Sequence, residues 1–433
     1  MARGKNVWWQ NSRVITRCRE SMQSHREPSS HQPRLKRTLG LPYVILYGLG
    51  VTIGAGIYVL VGEVVAMSGN HAPIAFLIAC LTMLLPAACF AELTGRMPFA
   101  AAEAHFVRAG FGSSSLFLIV GLGVATVGII SSAAIAHGSA GYLSNLVNVP
   151  YPLLLTIVIV LTGGVACLGI KESIMFAGVL TLTEVGGLLL LVGGALWSGA
   201  DLGAQALESI PLSLTPGLWS GIFASGLLAF FAFIGFEDID SIAEETINPQ
   251  KTLARGIFLT LGLTFVIYTL VLLATLATVP PEELADSRAP LAFVFERTTG
   301  LSPLAITLIA IVATVNGIIV QIIMAGRVIY GLANEGSLPN VLARVSKRTR
   351  TPLLATSAAT AVVLVLAHGF TITALAEWTS VATLAIFVLV SIALARIKRR
   401  NDPAPEGTFI VPGWVPYGGA LACLALLVLG LTA

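Results

Sequence analysis

The sequence predicts an all-α membrane protein whose helices form two halves of opposite orientation, and three observations carry that expectation. Of the 433 residues, 56% are hydrophobic and 11% charged, with a mean hydropathy of +0.87, which is more apolar surface than a soluble core can hide. The apolar residues gather in about eleven segments of transmembrane length. Two of these, in corresponding places of the two halves, carry glycines or a sudden acidic run where a continuous helix would not place them, the pattern of discontinuous membrane helices.

Taken in order, residues 1–37 are polar and basic, with Arg3, Lys5, Arg13, Arg17, Arg19, Arg26, Arg34, Lys36 and Arg37 and no run long enough for a signal peptide. They are expected to form a disordered cytoplasmic tail. Membrane segments are expected over 43–62, 73–95, 116–143, 153–169, 174–197, 221–243, 257–279, 304–331, 353–368, 371–395 and 414–432. With a cytoplasmic N-terminus, the connections on that side hold Arg96, Arg108, Lys171, Lys251, Arg255, the cluster Arg344, Lys347, Arg348 and Arg350, and the cluster Arg396, Lys398, Arg399 and Arg400. The opposite side holds only Arg288 and Arg297. Basic residues concentrate on the side where chain translocation is disfavoured, so the bias supports that orientation. Segments one to five and six to ten then run in opposite senses, which divides the chain into a first repeat at 38–200, a second at 201–400, and a linker with the eleventh helix at 401–433.

The first anomalous stretch, 48–62, reads Gly-Leu-Gly-Val-Thr-Ile-Gly-Ala-Gly-Ile-Tyr-Val-Leu-Val-Gly. Each glycine weakens a helix by roughly 1 kcal/mol relative to alanine, and an opened backbone in hydrocarbon strands polar groups unless it lines a cavity. Around Ile53, the amides of Gly54, Ala55 and Gly56 could cradle a carboxylate. The second stretch runs apolar through Phe230 and then turns acidic at Glu237, Asp238, Asp240, Glu244 and Glu245. Opened backbone at Phe231, Ala232, Phe233, Ile234 and Gly235 could offer carbonyls to an ammonium group. Together the two breaks would hold the invariant part of an amino acid. The competing reading is that the glycines only let helices approach closely.

These stretches, with Glu-Glu-Thr-Ile-Asn-Pro-Gln-Lys-Thr-Leu-Ala-Arg-Gly at 244–256, Leu-Ala-Asn-Glu-Gly-Ser-Leu-Pro at 332–339 and Phe-Ile-Val-Pro-Gly at 409–413, resemble the amino acid permeases of the amino acid–polyamine–organocation superfamily, in its cationic-amino-acid-transporter-like bacterial branch. The resemblance covers about residues 38 to 433. It implies a leucine-transporter-type fold, a 5+5 inverted repeat with helices 1 and 6 interrupted, and the same carboxylate and ammonium roles for the two breaks. It also implies a bacterial-type inner membrane and secondary active transport of an amino acid. Many relatives carry twelve helices, whereas eleven are read here. Where relatives have paired glycines before the third helix, this chain has alanines and Glu103 in 97–105.

Ionisable residues within apolar segments are functional candidates by default. Glu184 stands where proton-coupled relatives often carry a lysine, and it could load and release a proton or stay protonated and hydrogen-bonded. Glu237 follows the second break and is the other proton-coupling candidate, while Asp238 and Asp240 could simply meet water. Phe231, Phe233, Phe236 and Asn316 are candidates for a gate or pocket wall, and His105 and His137 for proton sensing. The cysteines lack metal-ligand spacing and no zinc, nucleophile-elbow or phosphate-loop motif is present, so no metal, cofactor, catalytic residue or nucleic-acid partner is expected. The expected partners are an amino acid, protons as coupling ion and the lipid bilayer. The expected function is proton-coupled uptake by alternating access, with amino acid exchange, or reception without transport, as the alternatives.

Overall fold

The computed structural model describes residues 37–97, 103–168, 174–243, 245–285, 287–346 and 348–433. Helices account for all the regular structure among them apart from a single parallel bridge between Leu39 and Thr246. The basic tail, part of the loop at 97–105, Lys171, Glu244 and Lys347 lie outside the described residues.

The eleven expected segments all correspond to helices. In chain order they are α1 (Leu41–Ser68) and α2 (Ala72–Arg96), a short α3 (Glu103–Phe111), then α4 (Ser114–Ser144), α5 (Tyr151–Leu168) and α6 (Ile174–Trp197). A two-turn helix, α7 (Leu202–Glu208), leads to α8 (Pro216–Phe231), which is followed after a turn by a 3₁₀ helix over Phe236–Ile242. Then come α9 (Pro249–Leu276), two short pieces α10 (Pro281–Ala285) and α11 (Pro290–Thr299), α12 (Leu304–Asn334), α13 (Leu353–Gly369), α14 (Ile372–Arg399) and α15 (Val415–Thr432). Nine apolar helical stretches among the described residues are long enough to cross a bilayer, one of which joins the second half of α1 to α2. Two shorter ones, Leu41–Ile53 and Leu353–Gly369, complete the set. Leucines such as Leu168 and Leu421 stay about two-thirds exposed on the bundle's outside, as lipid-facing positions should.

Two expectations about the breaks have different outcomes. The second is present: α8 stops at Phe231, residues 232–235 form a turn, and Gly235 adopts φ 120°, a conformation open to glycine. The first is corrected: α1 runs as one helix through Ile53, Gly54, Ala55 and Gly56. The reason is packing. A Cβ at Gly48 would come within 2.5 Å of Thr260 Oγ1, one at Gly50 would strike the Thr181 hydroxyl, and one at Gly56 would strike the backbone of Ala232. The glycines of α1 let α6, α9 and the broken helix approach its axis, and the helix absorbs their cost because those neighbours hold it.

One face of the bundle is the face at which α1 begins. There the chain before α1 is strapped to the segment after the break, with the amides of Thr38 and Leu39 donating to Glu245 O at 2.9 and 3.0 Å and the Ile247 amide donating to Leu39 O at 2.9 Å. Tyr47 and Ser241 hydroxyls meet at 2.9 Å beside this strap. On the same face Glu92, wholly buried on α2, accepts from Arg96 at 2.8 Å, from Lys398 at 2.9 Å and from the Val411 amide at 2.8 Å, fixing the end of α14 and the linker before α15.

Candidate functional site

A central cavity of about 40 Å³ lies where the middle of α1 meets the break, closed on the other sides by α4 and α12. Of the residues expected to bind substrate, Gly56, Phe231 and Ile234 line it, and so does Asn316. Thr52, Ser131, Ile135, Val320 and Gln321 join them. These were not singled out in the sequence, although Asn316, Val320 and Gln321 recur at the spacing of one helix face, as Ser131 and Ile135 do. Each polar residue among them sits in an apolar helix, and its meaning appears only once the facing helix is known.

Among the described side chains, the remaining site candidates are not part of the lining. Ile53 is fully buried; the side chains at Gly54 and Ala55 lie outside what is described. Ala232 offers its carbonyl to the Tyr268 hydroxyl, which lies 3.0 Å from it and 3.0 Å from Thr52 O. A single phenol proton is thus shared between α1 and the broken helix, at the level of the cavity. Phe233 and Phe236 are packing residues rather than pocket walls. Phe233 meets Phe76 and Tyr268 with ring centroids 6.0 and 5.4 Å apart, and Phe236 meets Phe90 and Phe387 at 5.8 and 5.7 Å.

The backbone of the break can be accounted for group by group. Phe231 O accepts from the Ile234 amide at 3.2 Å and Gly235 O from the Asp238 amide at 3.1 Å. The Gly235 amide donates to Glu237 Oε2 at 2.9 Å. Among the described residues no donor reaches the carbonyls of Phe233 or Ile234. Buried carbonyls are almost always paired, and of these two residues Ile234 lines the cavity, where its carbonyl is an available acceptor for an ammonium group.

Glu184 is completely buried on α6, and neither of its carboxyl oxygens has a partner. Its main-chain carbonyl accepts from the Tyr58 hydroxyl at 2.7 Å, and its carboxyl lies within electrostatic range of the Tyr58 and Tyr268 phenols. It does not line the central cavity. Glu237 is buried and closes the break through Gly235, with Asp238 and Glu103 near enough to influence its charge. Burial pushes the carboxyl of Glu103, on α3 outside the spans, above the usual carboxylate range. His105 stacks edgewise on Phe117 at 5.2 Å and does not line the central cavity. His137 belongs to a second cavity of about 460 Å³ at the far face. There it meets the Tyr151 hydroxyl at 2.9 Å, Arg288 lies 4.9 Å above the Tyr151 ring, and Thr373 donates to Glu63 at 2.9 Å.

A model of the amino acid permease family matches residues 39–433. The chain is 31% identical over 389 residues to cationic amino acid transporter 2, vacuolar, of Arabidopsis thaliana, covering 85% of this chain and 61% of that protein. It is 27% identical to the branched-chain amino acid permease BcaP of Bacillus subtilis, covering 95% of this chain and 91% of that one. It is also 27% identical to the methylthioribose transporter of the same organism, over 91% of this chain and 88% of the relative. The chain therefore spans about three-fifths of the plant transporter's length and nearly all of the bacterial ones.

Proposed function

The chain belongs to the amino acid permease family, and from that premise we propose that it is a secondary active amino acid transporter working by alternating access around the central cavity. The observation that carries this reading is the break after Phe231, where Ile234, whose carbonyl meets no donor among the described residues, lines a cavity bounded by α1, α4 and α12. The amino group of the substrate would take that carbonyl. Its carboxylate would take amides of Gly54, Ala55 and Gly56, which requires α1 to open locally when ligand binds, at the point where its glycines offer least resistance. The two halves, 38–200 and 201–400, would form a 5+5 inverted repeat that rocks around the site, with 401–433 outside it. The basic residues favour an N-terminus in the cytoplasm, and the similarity to bacterial permeases favours an inner-membrane setting of bacterial type.

Proton-coupled uptake is the preferred mode. Glu184 is a buried carboxyl without a partner, and the Tyr58 and Tyr268 phenols connect its surroundings to α1 and the break. Glu237 is the second candidate, though its bond to Gly235 suits it to shaping the break. Amino acid exchange is the alternative, favoured by one observation: neither carboxyl lines the central cavity. The test is uptake of a labelled amino acid mixture into proteoliposomes with and without an inward proton gradient, for the wild type and Glu184→Gln. Accumulation driven by the gradient and lost in the variant supports symport. Flux that needs internal amino acid and ignores the gradient supports exchange. Absence of flux in both removes the transporter reading.

A further inference from the structure

The central cavity differs in one chemical respect from what the names of several relatives would suggest. Resting on the permease reading above, we infer that its substrate is a small α-amino acid with an uncharged side chain, in the class of alanine and serine, and that Ser131, Asn316 and Gln321 set this preference.

Two walls of the cavity are assigned to the substrate's main-chain groups, α1 and the break. The side chain must then face the remaining walls, which are Ser131 and Ile135 on α4 and Asn316, Val320 and Gln321 on α12. None of the cavity's lining residues is charged. Gly54 and Ala55, whose side chains are not described, bring no charge by their identity. A lysine or arginine side chain would therefore enter a site whose lining offers no carboxylate to pair its cation, the arrangement that buried charges avoid most strongly. The two candidate acids, Glu184 and Glu237, are both buried and neither is part of the lining, Glu237 being turned to the Gly235 amide at 2.9 Å.

Size points the same way. With α1 continuous the cavity measures about 40 Å³, against the roughly 10–15 Å³ that one enclosed water needs on the same measure, so a small side chain asks for the least further opening of α1. Gly317 and the close approach of Gly128 to Gln321, whose Oε1 would lie 3.3 Å from a Cβ at that glycine, show how tightly α4 and α12 meet at this wall. The wall is also mixed. The hydroxyl of Ser131 and the amides of Asn316 and Gln321 can bond a substrate hydroxyl, while Ile135 and Val320 accommodate a methyl group. A site of this make-up discriminates strongly against a charge and weakly between a methyl and a hydroxymethyl group.

The experiment is competition against labelled alanine uptake in proteoliposomes holding the full chain, with serine, leucine, lysine and arginine as competitors. It is paired with thermal stabilisation of the detergent-solubilised protein by the same amino acids, which needs no variant. Serine is expected to compete within a few-fold of alanine, and lysine and arginine at least about 10-fold more weakly. In Gln321→Glu, which places a carboxylate in the wall, the lysine-to-alanine ratio is expected to rise by about 10-fold. Lysine or arginine equalling alanine in both assays overturns the inference and leaves the permease reading standing, and so does leucine outcompeting serine. If no amino acid is transported or stabilises the protein, the permease reading falls and takes this inference with it.

Discussion

The hydroxyl of Tyr58 donates a 2.7 Å hydrogen bond to the main-chain carbonyl of Glu184, while the carboxyl of that same residue is buried with neither oxygen bonded. The two helices that carry them, α1 and α6, are thus fastened at the residue whose charge state is the candidate for coupling. Any movement of α1 during transport must carry or break this bond, and either changes what surrounds the carboxyl. Tyr58→Phe is expected to cost about 1 kcal/mol of stability. It is also expected to lower gradient-driven accumulation several-fold while sparing exchange of internal for external substrate. In a Glu184→Gln background the same change should have no further effect on accumulation, because residues acting through one another are not additive. Additive losses in the double variant would make the bond purely structural.

Tyr268 does for the broken helix what Tyr58 does for α6. Its hydroxyl serves Thr52 O and Ala232 O, 3.0 Å from each, while its ring is held by Phe76 at 5.7 Å and Phe233 at 5.4 Å. Tyr268→Phe keeps the ring and removes the shared proton, so packing is conserved and only the polar link is lost. Leaving a buried carbonyl unpaired costs about 1–3 kcal/mol, which sets the expected fall in unfolding free energy. Because Ala232 belongs to the turn that presents the Ile234 carbonyl, substrate affinity should weaken as well. Binding measured by thermal shift against substrate concentration would check this. A destabilised variant with unchanged affinity would confine Tyr268 to a structural role.

On the face where α1 begins, Glu92 gathers two cations and an amide. Its side chain is fully buried, and those of Arg96 and Lys398 are 10% and 18% exposed. Removing one member of such a buried set strands the others, and breaking a buried pair costs about 3–5 kcal/mol. Glu92→Ala is expected to reduce thermal stability by that order. Adding Lys398→Met should recover part of the loss, since the stranded ammonium is then gone. Uptake per folded molecule should change little in either variant, because Glu92 is not part of the cavity's lining and its bonds tie α14 to the linker. Stability in the double variant lower than in Glu92→Ala would show that the bond from Lys398 to Val411 O, at 2.7 Å, matters more than the pair.

The eleven membrane segments were legible in the sequence because hydropathy and length are local properties that the bilayer enforces directly. The break after Phe231 was legible for the same local reason, a glycine followed by acids within an apolar run. Gly56 was legible as an anomaly but not as to its kind. Whether a glycine opens a helix or lets a neighbour close in depends on Ala232, which is far along the chain. Phe233 and Phe236 misled in the same way, since only three-dimensional packing separates a gate from an aromatic cluster. Ser131 and Gln321 were missed because an isolated polar residue in an apolar helix carries meaning only once its facing helix is known.

Glu103 supplies a prediction in pH. It is 6% exposed at the start of α3, and burial raises its pKa above the ordinary 4.5. A carboxyl whose pKa is higher folded than unfolded binds more protons in the folded state across the interval between the two values. Folding stability must therefore fall as pH rises through that interval, and the loss persists above it. His105, two residues on, is shifted the other way by burial, so its own contribution rises with pH toward 6.5. Comparing the wild type with Glu103→Gln cancels the histidine and reports the carboxyl together with its repulsion of the neighbouring Glu237 and Asp238 carboxyls, which acts in the same direction. The variant is expected to be the more stable near neutral pH, with the difference shrinking as pH is lowered toward about 4.5, as followed by the melting temperature of the solubilised protein. A difference that is constant with pH would mean that the Glu103 carboxyl titrates alike in the folded and unfolded chain, and that α3 does not shield it from water.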